Sequence, residues 1–208
     1  MPLRGLIFDY GGVLLDMRWD TMRALEAEYA LSERVIAQTL YGSETWRRLA
    51  VGVGDRDAWL EEAHGELERV AGRPMPRLHD RWRESQRLIA PNIDLIKRLR
   101  PPYRTAVLSN ADSTLTARLR DRFQIVDLFD DVVCSADVAL AKPDTRIYAL
   151  AAQRLDLQPA ECVFVDDMEG NVEAARSAGM EAIHFRIDRG DSLAEQFAEL
   201  GIRATSEA

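Results

Sequence analysis

Short runs of consecutive apolar residues alternate along the chain with longer stretches in which apolar positions recur every three or four residues. The runs at 6–8, 105–108, 132–134, 162–165 and 182–185 are short and β-rich, the pattern of strands buried on both faces. Residues 93–99, 115–123, 147–155 and 172–178 carry helical spacing between them, so strands and helices alternate as βαβ units. This alternation predicts an α/β fold with a doubly wound parallel sheet, Rossmann-like in layout.

One block breaks the alternation. Residues 21–29, 33–40, 44–49, 55–70 and 77–89 read as consecutive amphipathic helices, punctuated by Gly42, Gly52, Gly54, Gly72, Pro74 and Pro76. The expected organisation is therefore a core made of residues 1–16 and 91–208 with a helical insert at 17–90. An insert at that place hangs over the carboxyl end of the sheet, where ligands bind in open α/β folds. Residues 203–208 read as a frayed tail.

Composition narrows the function classes. The 208 residues are 47% hydrophobic, enough to bury a core without cross-links. With 27 basic and 35 acidic residues the net charge is −8, which opposes adhesion to nucleic acid or an anionic membrane. No leader or spanning stretch is read in the chain, so a cytoplasmic protein is expected, as monomer or homodimer. Cys134 and Cys162 fall inside apolar runs, as buried thiols do.

Four places carry chemistry. Asp9 ends the first strand and is followed by Tyr10, Gly11 and Gly12. The glycines permit a sharp turn that brings amides close to an anion and leaves a carboxylate that could attack phosphorus, or the segment is an ordinary turn. Ser109 and Asn110 close the second strand, where a hydroxyl can bind a phosphate oxygen or merely cap the following helix. Lys142, before Pro143, could neutralise a nucleophilic carboxylate and a phosphoryl group, or be a solvated surface lysine. Asp166 and Asp167 end an apolar strand as adjacent acids, which repel unless a hard divalent cation such as Mg2+ joins them. All four lie at or beyond strand C-termini, which a parallel sheet gathers along one edge.

This ordered set, Asp-x-Gly-Gly-Val, Ser-Asn, Lys-Pro and Asp-Asp-x-x-x-Asn, resembles the haloacid dehalogenase superfamily over essentially the whole chain, with 17–90 similar to its helical cap. The resemblance implies that Asp9 is a nucleophile forming an aspartyl-phosphate, that Ser109 binds the phosphoryl group and that Lys142 orients Asp9. It implies Mg2+ held by Asp9, Asp167 and the Gly11 carbonyl, with Asp166 behind these ligands or sharing the ion through water. Asn110, Gly12 and Asn171 would shape the phosphate pocket, and the substrate would be a small phosphorylated metabolite.

One departure matters. Most phosphatases of that family carry a second aspartate two residues after the nucleophile as general acid, and this chain has Gly11 there. Loss of a general acid commonly costs about 10²–10⁴-fold in rate. A subgroup with glycine at this position, including sugar-phosphate phosphatases, is similar. Two alternatives follow: a 2-haloacid dehalogenase using Asp9 against carbon, which would leave the Asp166–Asp167 pair without a metal to hold, and a weakly active phospho-ligand-binding regulator. In the insert, Arg47 of the stretch 46–48 could clamp a second anionic group, or be a solvated charge above a core-packed Trp46. Trp19, Trp59 and Trp82 read as core of the insert, and His64, His79 and His184 carry no metal or triad spacing.

Overall fold

The structure is a computed structural model that describes residues 2–204. Of the tail expected at 203–208, residues 205–208 lie outside the described residues. In chain order the elements are β1 (Gly5–Phe8), β2 (Leu15–Asp16), α1 (Trp19–Glu28), α2 (Val35–Tyr41), α3 (Glu44–Leu49), α4 (Arg56–Ala71), α5 (Leu78–Ser85) and β3 (Arg87–Leu88). They continue with α6 (Ala90–Leu99), β4 (Arg104–Ser109), α7 (Leu115–Ala117), β5 (Asp131–Cys134), α8 (Ser135–Val138), α9 (Thr145–Arg154), β6 (Cys162–Asp166), α10 (Glu169–Ser177), β7 (Glu181–His184) and α11 (Leu193–Glu199).

Five strands form one parallel sheet in the order β5-β4-β1-β6-β7. Strand side chains alternate faces, and the packing records it: Leu6 and Phe8 join one core cluster with Val107, Val163 and Val165, whereas Ile7 joins the opposite one with Ala106, Leu108 and Phe164. Helices α6 and α11 cover the first face, α9 and α10 the second. Phe8 anchors the first through edge-on contacts with Phe129 and Phe197 at 6.5 and 6.1 Å. Among the described residues, no helix is long and apolar enough to cross a membrane.

Helices α1–α5 share a third core built on Trp59, Trp82, Leu40, Leu67 and Leu78. The indoles find polar partners as buried Trp requires: Trp59 Nε1 donates to the Leu40 carbonyl at 2.7 Å and Trp82 Nε1 to the Met17 carbonyl at 2.6 Å. Buried Glu26 of α1 accepts the amides of Arg34 and Ile36 at 2.9 and 3.0 Å. It thereby supplies the α2 N-terminus with the acceptor its own N-cap, Arg34, lacks.

The two connections to this helical unit are tied together. Strands β2 and β3 pair antiparallel, Leu15 with Leu88 and Asp16 with Arg87, and the Asn92 amide reaches the Val13 carbonyl at 2.8 Å. The helix expected over 77–89 therefore ends at Ser85: Gln86 turns extended and residues 87–88 become a strand. A two-residue strand has no hydrophobic period and exists only through its partner. The helix expected over 115–123 keeps its place but winds from α7 into a π-turn at Arg118–Arg122.

His79 is buried inside the helical unit, with Nε2 2.9 Å from Thr39 Oγ1. Burial, helped by His64, pushes its pKa down from 6.5 to about 4. A depressed pKa means the unfolded chain takes up the proton first, so this stabilisation is complete above pH 6.5 and is lost as pH falls toward 4. The loss amounts to roughly 3 kcal/mol at the bottom of that window. Melting temperatures across it should fall less steeply for His79→Gln than for the wild type; parallel curves would show that His79 is not held neutral.

Candidate active site

The central position of β1 decides what meets what. Asp9 follows it directly, Ser109 ends the neighbour β4, and Asp166 and Asp167 end and follow the other neighbour, β6. Lys142 arrives from the loop between α8 and α9. Ligand oxygens of Asp9, Asp166 and Asp167 all lie within 4.8 Å of one another.

Lys142 is the hub of this group. Its Nζ contacts Asp9 Oδ1 at 2.9 Å and Asp166 Oδ2 at 2.6 Å, and its side chain is 2% exposed. Burial alone would drive off its proton; the carboxylates of Asp166 and Asp9 outweigh that and hold its pKa above the usual lysine value. Its backbone is clamped as firmly, because the Asn110 side chain donates to the Lys142 carbonyl and accepts its amide, both at 2.8 Å. Asn110 thus serves the lysine with both ends of its amide, a role that a strand-end Asn does not reveal in sequence. Asp144 rather than Pro143 caps α9, accepting the Arg146 amide, so Pro143 stands before the helix instead of in its first turn.

Each acid is held differently. Asp166 is fully buried and saturated: besides Lys142 it accepts the Met168 amide at 2.8 Å and the Asn171 amide at 3.1 Å. Asn171 is in turn seated by the Tyr148 hydroxyl, which donates to its carbonyl at 2.9 Å. Asp9 accepts the Tyr10 amide on Oδ1 at 2.7 Å, the oxygen that also meets Lys142. Burial raises the Asp9 pKa to about 6, with Lys142 pulling against it and Asp166 adding to it. Asp167 rises to about 7 through burial and the charges of Asp9 and Asp166. His184 Nε2 lies 2.9 Å from the Asp167 carbonyl, a contact that follows from the β6–β7 register pairing Asp166 with His184 and that sequence spacing does not suggest.

The donor set fits a hard cation. Three carboxylates cluster beside one buried ammonium that contacts two of them, an arrangement left with excess negative charge that an oxygen-loving divalent ion would offset. Gly12 keeps the space open. Its φ is +80°, and a Cβ there would stand 2.4 Å from Asp167 Cγ. Gly11 sits against Met17, whose sulfur would be 3.3 Å from a Cβ at that position. Ser109 is buried at the end of β4. Arg47 is placed differently: its guanidinium is mostly exposed, pairs with Glu44 at 2.8 Å and donates to the Gly42 carbonyl at 3.1 Å.

Known proteins are similar to this chain in sequence and in fold. The chain is 28% identical over 187 residues to the fructose-1-phosphate phosphatase YqaB of Escherichia coli, covering 88% of this chain and 96% of that one. It is 31% identical over 199 residues to the phosphorylated carbohydrates phosphatase of Thermotoga maritima, covering 88% and 84%. The fold is shared with a haloacid dehalogenase family enzyme of Bacteroides thetaiotaomicron solved with magnesium and inorganic phosphate, at TM-score 0.65 and 18% identity over 94% of this chain and 99% of that one. The family model for haloacid dehalogenase-like hydrolases matches residues 3–179, and the chain belongs to that family.

Proposed function

We propose that this protein is a magnesium-dependent phosphatase of small phosphomonoesters, acting through an aspartyl-phosphate on Asp9, with phosphorylated carbohydrates as the substrate class favoured by its relatives' names. The observation that carries this reading is the Asp9–Lys142–Asp166 chain of contacts at 2.9 and 2.6 Å beside Asp167. Both contacts to Asp9 fall on Oδ1, which leaves Oδ2 as the attacking oxygen. Attack forms an Oδ2–P bond and breaks the bond from phosphorus to the ester oxygen. With Gly11 where an acid would stand, the departing oxygen takes its proton from water or from the substrate. Water then attacks the acyl phosphate, releasing inorganic phosphate and restoring the Asp9 carboxylate.

Lys142 keeps Asp9 oriented and offsets charge as the phosphoryl group arrives. Magnesium, bound among Asp9, Asp167 and the Gly11 carbonyl, would supply charge neutralisation for the phosphoryl oxygens. Asp166, saturated by Lys142, Met168 and Asn171, would act on the ion through its neighbours. Ser109 and the amides around Gly12 would receive phosphoryl oxygens. Attack on a haloacid carbon is the weaker reading, since it gives the clustered acids nothing to hold. The helical unit, entered after β1, would serve as the cap.

Hydrolysis of an aryl phosphate should require magnesium, stop with a chelator, and vanish in Asp9→Asn; turnover that survives either treatment would sink the mechanism. Lys142→Met should lower kcat by about 10²–10³-fold, and an activity within a few-fold of wild type would remove the lysine from the chemistry. Gly12→Ala pushes a methyl into Asp167 and should weaken magnesium activation by about 10–100-fold; an unchanged magnesium titration would place the ion elsewhere.

A further inference from the structure

Where the helical unit meets the sheet domain lies a cationic cluster that the reaction at Asp9 does not use. Its core-side members are Arg118, after α7, and Asp112, three residues beyond Ser109; its insert-side members are Arg56, at the start of α4, and Arg83, on α5, whose guanidinium lies 5.9 Å from the ring of Trp59, three residues along α4 from Arg56. Asp112 is 3% exposed. It receives Arg118 Nη1 at 2.9 Å and faces Arg56 Nε at 3.7 Å, bridging the two layers. The cluster adjoins the nucleophile, because the Arg118 guanidinium lies 6.0 Å from the ring of Tyr10, the residue after Asp9. Nearby, Gly52 is packed so closely on the core that a Cβ would stand 2.4 Å from the Ala136 carbonyl.

Charge here is out of balance. Among the described residues, Asp112 is the carboxylate that meets Arg118, and Arg56 otherwise reaches exposed Asp57, at 3.7 Å. Among them, too, buried Arg56 Nε has no hydrogen-bond partner. Among the described residues, Arg83 has neither an ion pair nor a side-chain hydrogen bond; its guanidinium lies 5.9 Å from the Trp59 ring. Burial lowers its pKa, Arg56 and Arg118 lower it further, and Tyr41 and Asp112 oppose them. Partly desolvated guanidinium groups without carboxylates are costly, and a cleft lined by one sign of charge attracts the opposite one. Arginine, with its planar donor fork, is the residue suited to holding carboxylate or phosphate in such a place.

We propose that Arg56, Arg83 and Arg118 form a second anion subsite, so that the substrate is a small phosphomonoester carrying another anionic group, carboxylate or phosphate, on the body that enters the cleft. This rests on the phosphatase reading and sharpens its substrate class. The phosphoryl group to be transferred sits at Asp9, and the second anion lies across Tyr10 from it.

The test measures binding to the full chain carrying Asp9→Asn, with magnesium present, by calorimetry. The probes are fructose 1-phosphate, fructose 1,6-bisphosphate and 6-phosphogluconate, so that a neutral body, a second phosphate and a carboxylate are compared. At least one doubly anionic probe should bind about tenfold or more tightly than fructose 1-phosphate, and the stronger of the two identifies the group. Adding Arg83→Met should bring that ratio close to one, and Arg83→Lys should restore part of it. Equal affinities for the three probes, or a ratio unmoved by Arg83→Met, would overturn the subsite. Aryl phosphate hydrolysis by the wild type separates the two readings: magnesium-dependent turnover without a preference for the second anion sinks the subsite alone, and the preference without turnover sinks the phosphatase mechanism alone.

Discussion

A single buried ammonium makes the rest of the site possible. Asp9, Asp166 and Asp167 crowd together at the edge of a sheet whose strands are closed to water, and like charges in such surroundings drive each other toward protonation. Lys142 bridges two of the three and its own backbone is fixed from β4 by Asn110. Position therefore passes from one strand to another through a side chain: β4 holds Asn110, Asn110 holds Lys142, and Lys142 holds the acids of β1 and β6. Removing the ammonium would leave buried carboxylates without their counterpart, which costs more than the pair contributes when intact.

The helical unit is organised on other terms. Its interior is a tryptophan-rich core, with Trp46 and Trp59 rings 4.9 Å apart, whereas its approach to the sheet domain includes a polar bridge, Arg56 with Asp112, which also holds Arg118. An apolar seam would seal the two layers together. A polar one can exchange its internal contacts for contacts with a ligand.

What sequence could show follows from this division. The sheet strands were legible because each is an unbroken apolar run, and the acids because they end those runs where a parallel sheet converges. Strands β2 and β3 were not, since two residues carry no period. Charged helix faces were ambiguous for a different reason: Arg47 and Arg83 look alike in a polar helix, yet Arg47 lies outside on Glu44 while Arg83 is half-buried, its guanidinium 5.9 Å from the Trp59 ring. Only packing separates them. Asn110 shows the same limit, because a strand-end asparagine gives no sign that its amide is matched to the Lys142 backbone.

The order of the strands in the sheet has a consequence for the chain during its synthesis. Strand β1 lies between β4 and β6, and the contact just ahead of it, Arg4 with Glu161, spans 157 residues. Such non-local pairing is slow to form because the intervening chain must be closed into a loop first. Until residues 162–166 have left the ribosome, β1 lacks one neighbour, and Asp9 and Lys142 are present without the acids that complete them. A chain that stops short of β6 carries Asp9 and Lys142 but not the centre, so the cluster of acids is assembled only after its last member has been made.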